Sequence, residues 1–209
     1  MKRTAATVVR EYGPFPGVSH VHGVSYDGRS VWIATGDRLK AFDSASGGIV
    51  RDLAVPGNAG TAFDGRYLYQ VADDRIHKLD PDTGRVVASV PVPEGGASGL
   101  AWAEGTLWLG QYRNRRIHQL DPHTGAILRT VESNRFVTGV TWVDGELWHG
   151  TWEDEASELR RIDPRSGEVA ESLDMPPGVS VSGMESNGDD TFFCGGAASG
   201  TVRAVRRPK

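Results

Sequence analysis

One pattern is written five times along this chain, and it limits the fold more than any other property. The stretches "HGVSYDGRSVWIA", "GTAFDGRYLYQVA", "SGLAWAEGTLWLG", "TGVTWVDGELWHG" and "SGMESNGDDTFFC" align on Gly23, Gly60, Gly99, Gly139 and Gly183. An aromatic stands nine residues after each glycine, as Trp32, Tyr69, Trp108, Trp148 and Phe192. Spacings of 37, 39, 40 and 44 residues between successive glycines set the length of one unit. A period of this size means repeated supersecondary units that bury their apolar faces against one another.

Each unit reads as strand, tight turn, strand, loop, strand, turn, strand. The first turns, "YDGRS", "FDGRY", "AEGT", "VDGE" and "SNGDD", carry Gly, Asp and Asn, which tolerate the positive φ a hairpin needs. Third strands end in "AFDSASGG", "HKLDPDTGR", "HQLDPHTGA" and "RRIDPRSGE", an Asp-initiated turn closed by glycine. Four antiparallel strands in about 40 residues make one propeller blade. The fifth unit stops after its third strand, "GTVRAVRRPK", and "ATVVREYGPFP" (residues 6–16) has the shape of the fourth strand "GRVVASVPVP". The expected fold is an all-β, five-bladed β-propeller over residues 1–209, four antiparallel strands per blade, with the N-terminal strand completing the last blade. Blade boundaries fall at 17–56, 57–93, 94–132, 133–176, and 177–209 plus 5–16. No segment holds a helical apolar period for three turns.

Bulk properties exclude more than they assign. The net charge of -4 gives no electrostatic reason to expect nucleic acid or an anionic membrane as partner. A single cysteine, Cys194, excludes an intramolecular disulfide framework. The opening "MKRTAATVVREY" has no apolar h-region, and the expectation is a cytoplasmic monomer acting on a small-molecule or peptide ligand.

Candidate site residues gather on the face where the loops differ between blades. Inner strands begin there with His20 and His22, Asn58, Ser98, Arg135 and Thr138, and Ser182; second strands end there with Asp73, Tyr112 and Arg113, Trp152 and Glu153, with Cys194 deeper. Alternation along a strand sends His20 and His22 to one side, where they serve as acid and base or fill a narrow channel. Trp152 has no counterpart in the other blades and is the expected platform for a ligand. His149 is expected to pack, and Glu185 either points into the channel or begins a turn.

Blade four, "TGVTWVDGELWHGTWEDEASELRRIDPRSGEV", resembles a blade of the glutaminyl cyclotransferases, five-bladed propellers that cyclise N-terminal Gln without a metal. The likeness runs over all five units, and a weaker one links them to streptogramin B lyase-type propellers. The resemblance implies a pocket lined by a first-blade Phe-Thr-[Gln/Glu]-Gly-Leu segment, which here reads His20-Val21-His22-Gly23-Val24. The fourth-blade Asn-Glu-Leu-Glu opening reads Thr138-Gly139-Val140-Thr141, while the blade-four aromatic carries over as Trp152. Three functions stay open. In the first, His22, His20 and Glu153 do acid–base work, Asp73 is a second carboxylate, Arg113 or Arg135 clamps an anionic group, and Trp152, Tyr112 and Asn58 hold the substrate without a cofactor. In the second, the propeller is a binding platform with no chemistry. In the third, His20, His22 and Glu153 or Glu185 hold a divalent metal for a lyase reaction.

Overall fold

The computed structural model describes all 209 residues, and it contains strands and no helix. In chain order these are β1 (Lys2–Ala5) and β2 (Val8–Tyr12); β3 (Val24–Tyr26), β4 (Ser30–Ala34), β5 (Leu39–Asp43) and β6 (Ile49–Leu53); then β7 (Thr61–Phe63), β8 (Leu68–Ala72), β9 (Arg75–Leu79) and β10 (Val86–Pro91). Blade three holds β11 (Leu100–Ala103), β12 (Thr106–Gln111), β13 (Arg116–Leu120) and β14 (Ile127–Glu132). Blade four holds β15 (Val137–Val143), β16 (Glu146–Thr151), β17 (Glu158–Ile162) and β18 (Val169–Asp174). The last elements are β19 (Met184–Ser186), β20 (Thr191–Gly195) and β21 (Val202–Arg206). They form five separate sheets, each built on four antiparallel strands, and β2 completes the fifth in the order β19-β20-β21-β2. The ring of five blades closed by the N-terminal segment is the expected architecture.

Two features go beyond the sequence reading. β1 lies parallel to β18 as an additional outer strand of blade four, held by Lys2–Glu171 at 2.9 Å and Arg3–Asp174 at 2.9 Å. The fifth repeated aromatic is Phe193 rather than Phe192. Phe193 pairs with Glu185 in the register where Trp32 pairs with Ser25 and Trp148 with Thr141. The turn of blade five is one residue longer, so a fixed count from the glycine lands one position early, and on a strand that flips the face.

The core is five apolar seams, one between each pair of blades. Trp32 packs with Leu68 and Leu79 between blades one and two, and Tyr69 with Leu100 and Leu107 between two and three. Trp108 packs with Val140 and Leu147, Trp148 with Phe192 and Val205, and Phe193 with Phe42 and Val31, which closes the circle. The turns hold these aromatics in place. Asp27 accepts from the backbone of Arg29 and Ser30 through Oδ1, and from Trp32 Nε1 at 2.8 Å through Oδ2. Asp64 does the same for Arg66, Tyr67 and the Tyr69 hydroxyl.

The recurrent glycines have a steric cause. A Cβ on Gly60 would sit 2.3 Å from the Leu100 nitrogen and 2.5 Å from the Gly99 carbon. One on Gly99 would meet Val140 N at 2.6 Å, and one on Gly139 would meet Met184 N at 2.4 Å. Gly183 faces the backbone of Gly23, and Gly23 faces Ala59 O and Thr61 N, so the contacts run once around the axis. The five glycines form a collar of touching backbones that only a residue without Cβ permits.

Candidate functional site

The collar sets the depth of the site. The residue before each glycine, His22, Ala59, Ser98, Thr138 or Ser182, lines a cavity of about 320 Å³ at the mouth of the ring. An adjoining cavity of about 590 Å³ shares His20, Tyr112, Thr138 and Ser182 with the first and extends to Trp152 and to the loops at Ser180 and Ser199. Hydrogen bonds to backbone carbonyls fix the rim: Val21 N donates to Ala197 O at 2.9 Å, and Ser182 Oγ donates to Val21 O at 2.5 Å. Ser98 Oγ donates to Val137 O at 2.7 Å.

His20 and His22 both reach the cavity wall, with ring centroids 4.2 Å apart and planes 31° from parallel. Neither ring nitrogen bonds to a protein group. Burial holds both imidazoles below their ordinary pKa, and the neighbouring His20 lowers His22 further. Both rings are therefore neutral at neutral pH, each with one donor and one acceptor nitrogen. Trp152 is half-buried on the wall of the larger cavity and stacks on no other aromatic ring. Its carbonyl accepts from the Tyr112 hydroxyl at 3.4 Å.

Other sequence candidates stand elsewhere. Glu153 lies on neither cavity wall; its carboxylate is clamped by Arg115 at 2.7 Å and Arg135 at 2.7 Å. Arg135 is thus committed to Glu153, and Arg113 is exposed outside both walls. Asp73 also stands off the walls, at φ 53°, and holds Asn58 by two bonds of 3.0 and 3.2 Å. Asn58 itself lines the smaller cavity. Cys194 is fully buried and its thiol is pushed up to about 12, which makes it inert. Two residues not singled out from the sequence matter here. Arg115 lies 4.3 Å over the Phe136 ring, and Phe136 stacks on Tyr112 at 4.7 Å and 18°. Glu153, Arg115 and Phe136 form a layered buttress behind the wall residue Tyr112. The signal for it was present in the "RNRR" run facing "NRFV", but only the fold brings the two together.

Beyond the collar Glu185 accepts a hydrogen bond from Thr141 Oγ1 and one from Ser186 N at 2.8 Å. Burial pushes its carboxyl up to about 7. The residue keeps partial exposure, so the group is enclosed by protein without being sealed from water. His149 is buried in the seam of blades three and four; its Nδ1 faces Gly150 O at 3.1 Å, and Nε2 has no partner. Nowhere do three or more His, Cys, Asp or Glu side chains converge in the way a metal ion requires. The two-histidine, one-carboxylate triad is not assembled, because Glu153 is held by arginines and Glu185 by Thr141 beyond the collar.

No curated protein matches the sequence. Among solved structures the chain is similar to Myxococcus xanthus glutaminyl cyclase, with a TM-score of 0.79, 19% identity, and coverage of 98% of this chain and 97% of that one. It is also similar to the Myceliophteria thermophila Cps50 (Swd1) β-propeller domain, with a TM-score of 0.63, 10% identity, and coverage of 97% and 100%. At these identities the likeness is one of fold. A family model described as outer membrane protein assembly factor BamB matches residues 17–134 and again residues 72–208. With most of its length matched in this way, the chain belongs to that family of repeat propellers.

Proposed function

We propose that the mouth of the ring binds a small molecule or a peptide N-terminus, and that the imidazole pair moves protons during an acyl transfer within it. The observation carrying this reading is the placement of two neutral histidine rings 4.2 Å apart on the wall of a cavity that continues to the unstacked Trp152. In such a transfer the amine nitrogen, unprotonated as a site without a counter-charge favours, attacks an amide carbonyl, a new C–N bond forms, the old one breaks, and ammonia leaves. The proton shed by the attacking nitrogen passes through a neutral imidazole to the leaving one. A base of lowered pKa stays unprotonated at neutral pH and is ready to accept it.

The test is ammonia release from a peptide carrying N-terminal Gln. Replacing His22 by Ala should lower the rate about 100-fold or more, with the melting temperature nearly unchanged because the ring makes no hydrogen bond to protein. Turnover surviving in His22→Ala would remove the catalytic role. A second reading, a platform that binds without reacting, is favoured by one feature: no carboxylate orients either imidazole. It predicts that the wild-type protein retains ligand and releases no ammonia.

A further inference from the structure

The walls of the two cavities hold no Lys, Arg, Asp or Glu, although 24% of the chain is charged. Charges approach the rim and are turned away: Glu153 into Arg115 and Arg135, Asp73 into Asn58. The polar side chains that remain are uncharged hydroxyl, amide, imidazole and indole groups. Ser98 and Ser182 spend their hydroxyl hydrogens on backbone carbonyls; Ser182 also accepts from Ala197 N at 3.2 Å, so both offer a ligand acceptor capacity only. The imidazoles add one acceptor and one donor each, and Tyr112 and Trp152 supply aromatic surface. A carboxylate or phosphate entering this space finds no cationic side chain, and an ammonium finds no counter-charge, so each would lose hydration without an ionic partner in exchange. An uncharged ligand that donates hydrogen bonds from several hydroxyl or amide groups, and offers an apolar ring face to an indole, meets every group present.

Resting on the reading of the mouth as a ligand site, we infer that its ligand is an uncharged, hydroxyl- and amide-bearing ring compound of the saccharide type. Three probes share one ring and differ in charge: methyl N-acetyl-glucosaminide (neutral), glucosamine (ammonium) and glucuronate (carboxylate). Saturation-transfer NMR and tryptophan fluorescence titration on the full chain should show the neutral probe bound in the millimolar range, and the charged probes at least about tenfold weaker. Trp152→Ala should abolish the neutral signal while circular dichroism stays unchanged. Ala97→Glu, which adds a carboxylate to the wall, should shift preference to glucosamine. Equal or tighter binding of a charged probe that still depends on Trp152 overturns the inference and leaves the mouth as a ligand site. Absence of binding by all three probes overturns the inference as well; whether the ligand-site reading falls with it is settled by ammonia release and its loss in His22→Ala.

Discussion

Glu185 and His149 are both enclosed by protein, and enclosure moves their pKa values in opposite directions. The Glu185 carboxyl rises from 4.5 to about 7, because burial outweighs the hydrogen bonds from Thr141 and Ser186. Its folded form holds a proton that the unfolded chain has released, so the stability it supports is complete below pH 4.5 and is lost as pH rises toward 7. His149 falls from 6.5 to about 4, chiefly by burial, and His20 and His22 shift in the same sense. There the unfolded chain binds the extra proton, and stability is lost as pH falls from 6.5 toward 4. The two slopes oppose each other between pH 4.5 and 6.5. Glu185→Gln should steepen the loss of stability on acidification and raise the melting temperature at pH 8 by roughly 2–6 °C, measured by thermal unfolding across pH. A variant with the pH profile of the parent would show that Glu185 ionises freely. This scale was the least legible in the sequence. His20 and His22 could be placed together by alternation alone, whereas the pairing of Glu153 with Arg115 depends on side chains from two blades meeting across a seam. The Phe192–Phe193 slip arose because a spacing count cannot see one additional turn residue.

At the scale of elements, the turns and strands were readable because each carries its own chemistry. In every Asp-x-x-[ST]-Gly turn the Asp carboxylate accepts two backbone N–H groups, as Asp121 does from His123 at 2.8 Å and Thr124 at 2.9 Å. The following Gly125 takes φ 75°, where glycine is favoured. The collar glycines are different: none has positive φ, so the exclusion of larger residues is purely steric. Gly139→Ala should cost about 3 kcal/mol by overpacking, read as a drop of roughly 6–12 °C in melting temperature. Gly105→Ala, at a turn with nothing within 4 Å, should cost less because only its φ of 75° is strained. Equal losses at the two positions would refute the collar. Two devices were not legible at this scale. β1 is four exposed residues with no apolar alternation, and it joins blade four through charge pairs that leave no periodic trace. Outer-strand arginines tie blade to blade: Arg10 donates to Ala45 O at 2.7 Å and Arg51 to Asp82 Oδ1 at 2.6 Å.

For the whole molecule, closure depends on one strand. β2 pairs along β21, Glu11 meets Arg203 at 2.7 Å, and Tyr12 crosses to blade one through Phe42 and the Ser44 carbonyl. Removing residues 1–12 should therefore open the fifth seam as well as an edge. The shortened chain is expected to lose its single cooperative unfolding transition and to associate through the bared β21; a sharp transition and a monomeric elution profile would contradict it. This closure was readable from sequence, since the missing fourth strand at one end and the surplus strand at the other have the same shape.

The collar glycines touch one another's backbones all the way around the axis, and such a pinch at the base of the mouth is expected to turn a ligand back toward the rim. Any compound formed at the bottom would then stand between the next arrival and the two histidines, so such a reaction would slow itself as its own output accumulates.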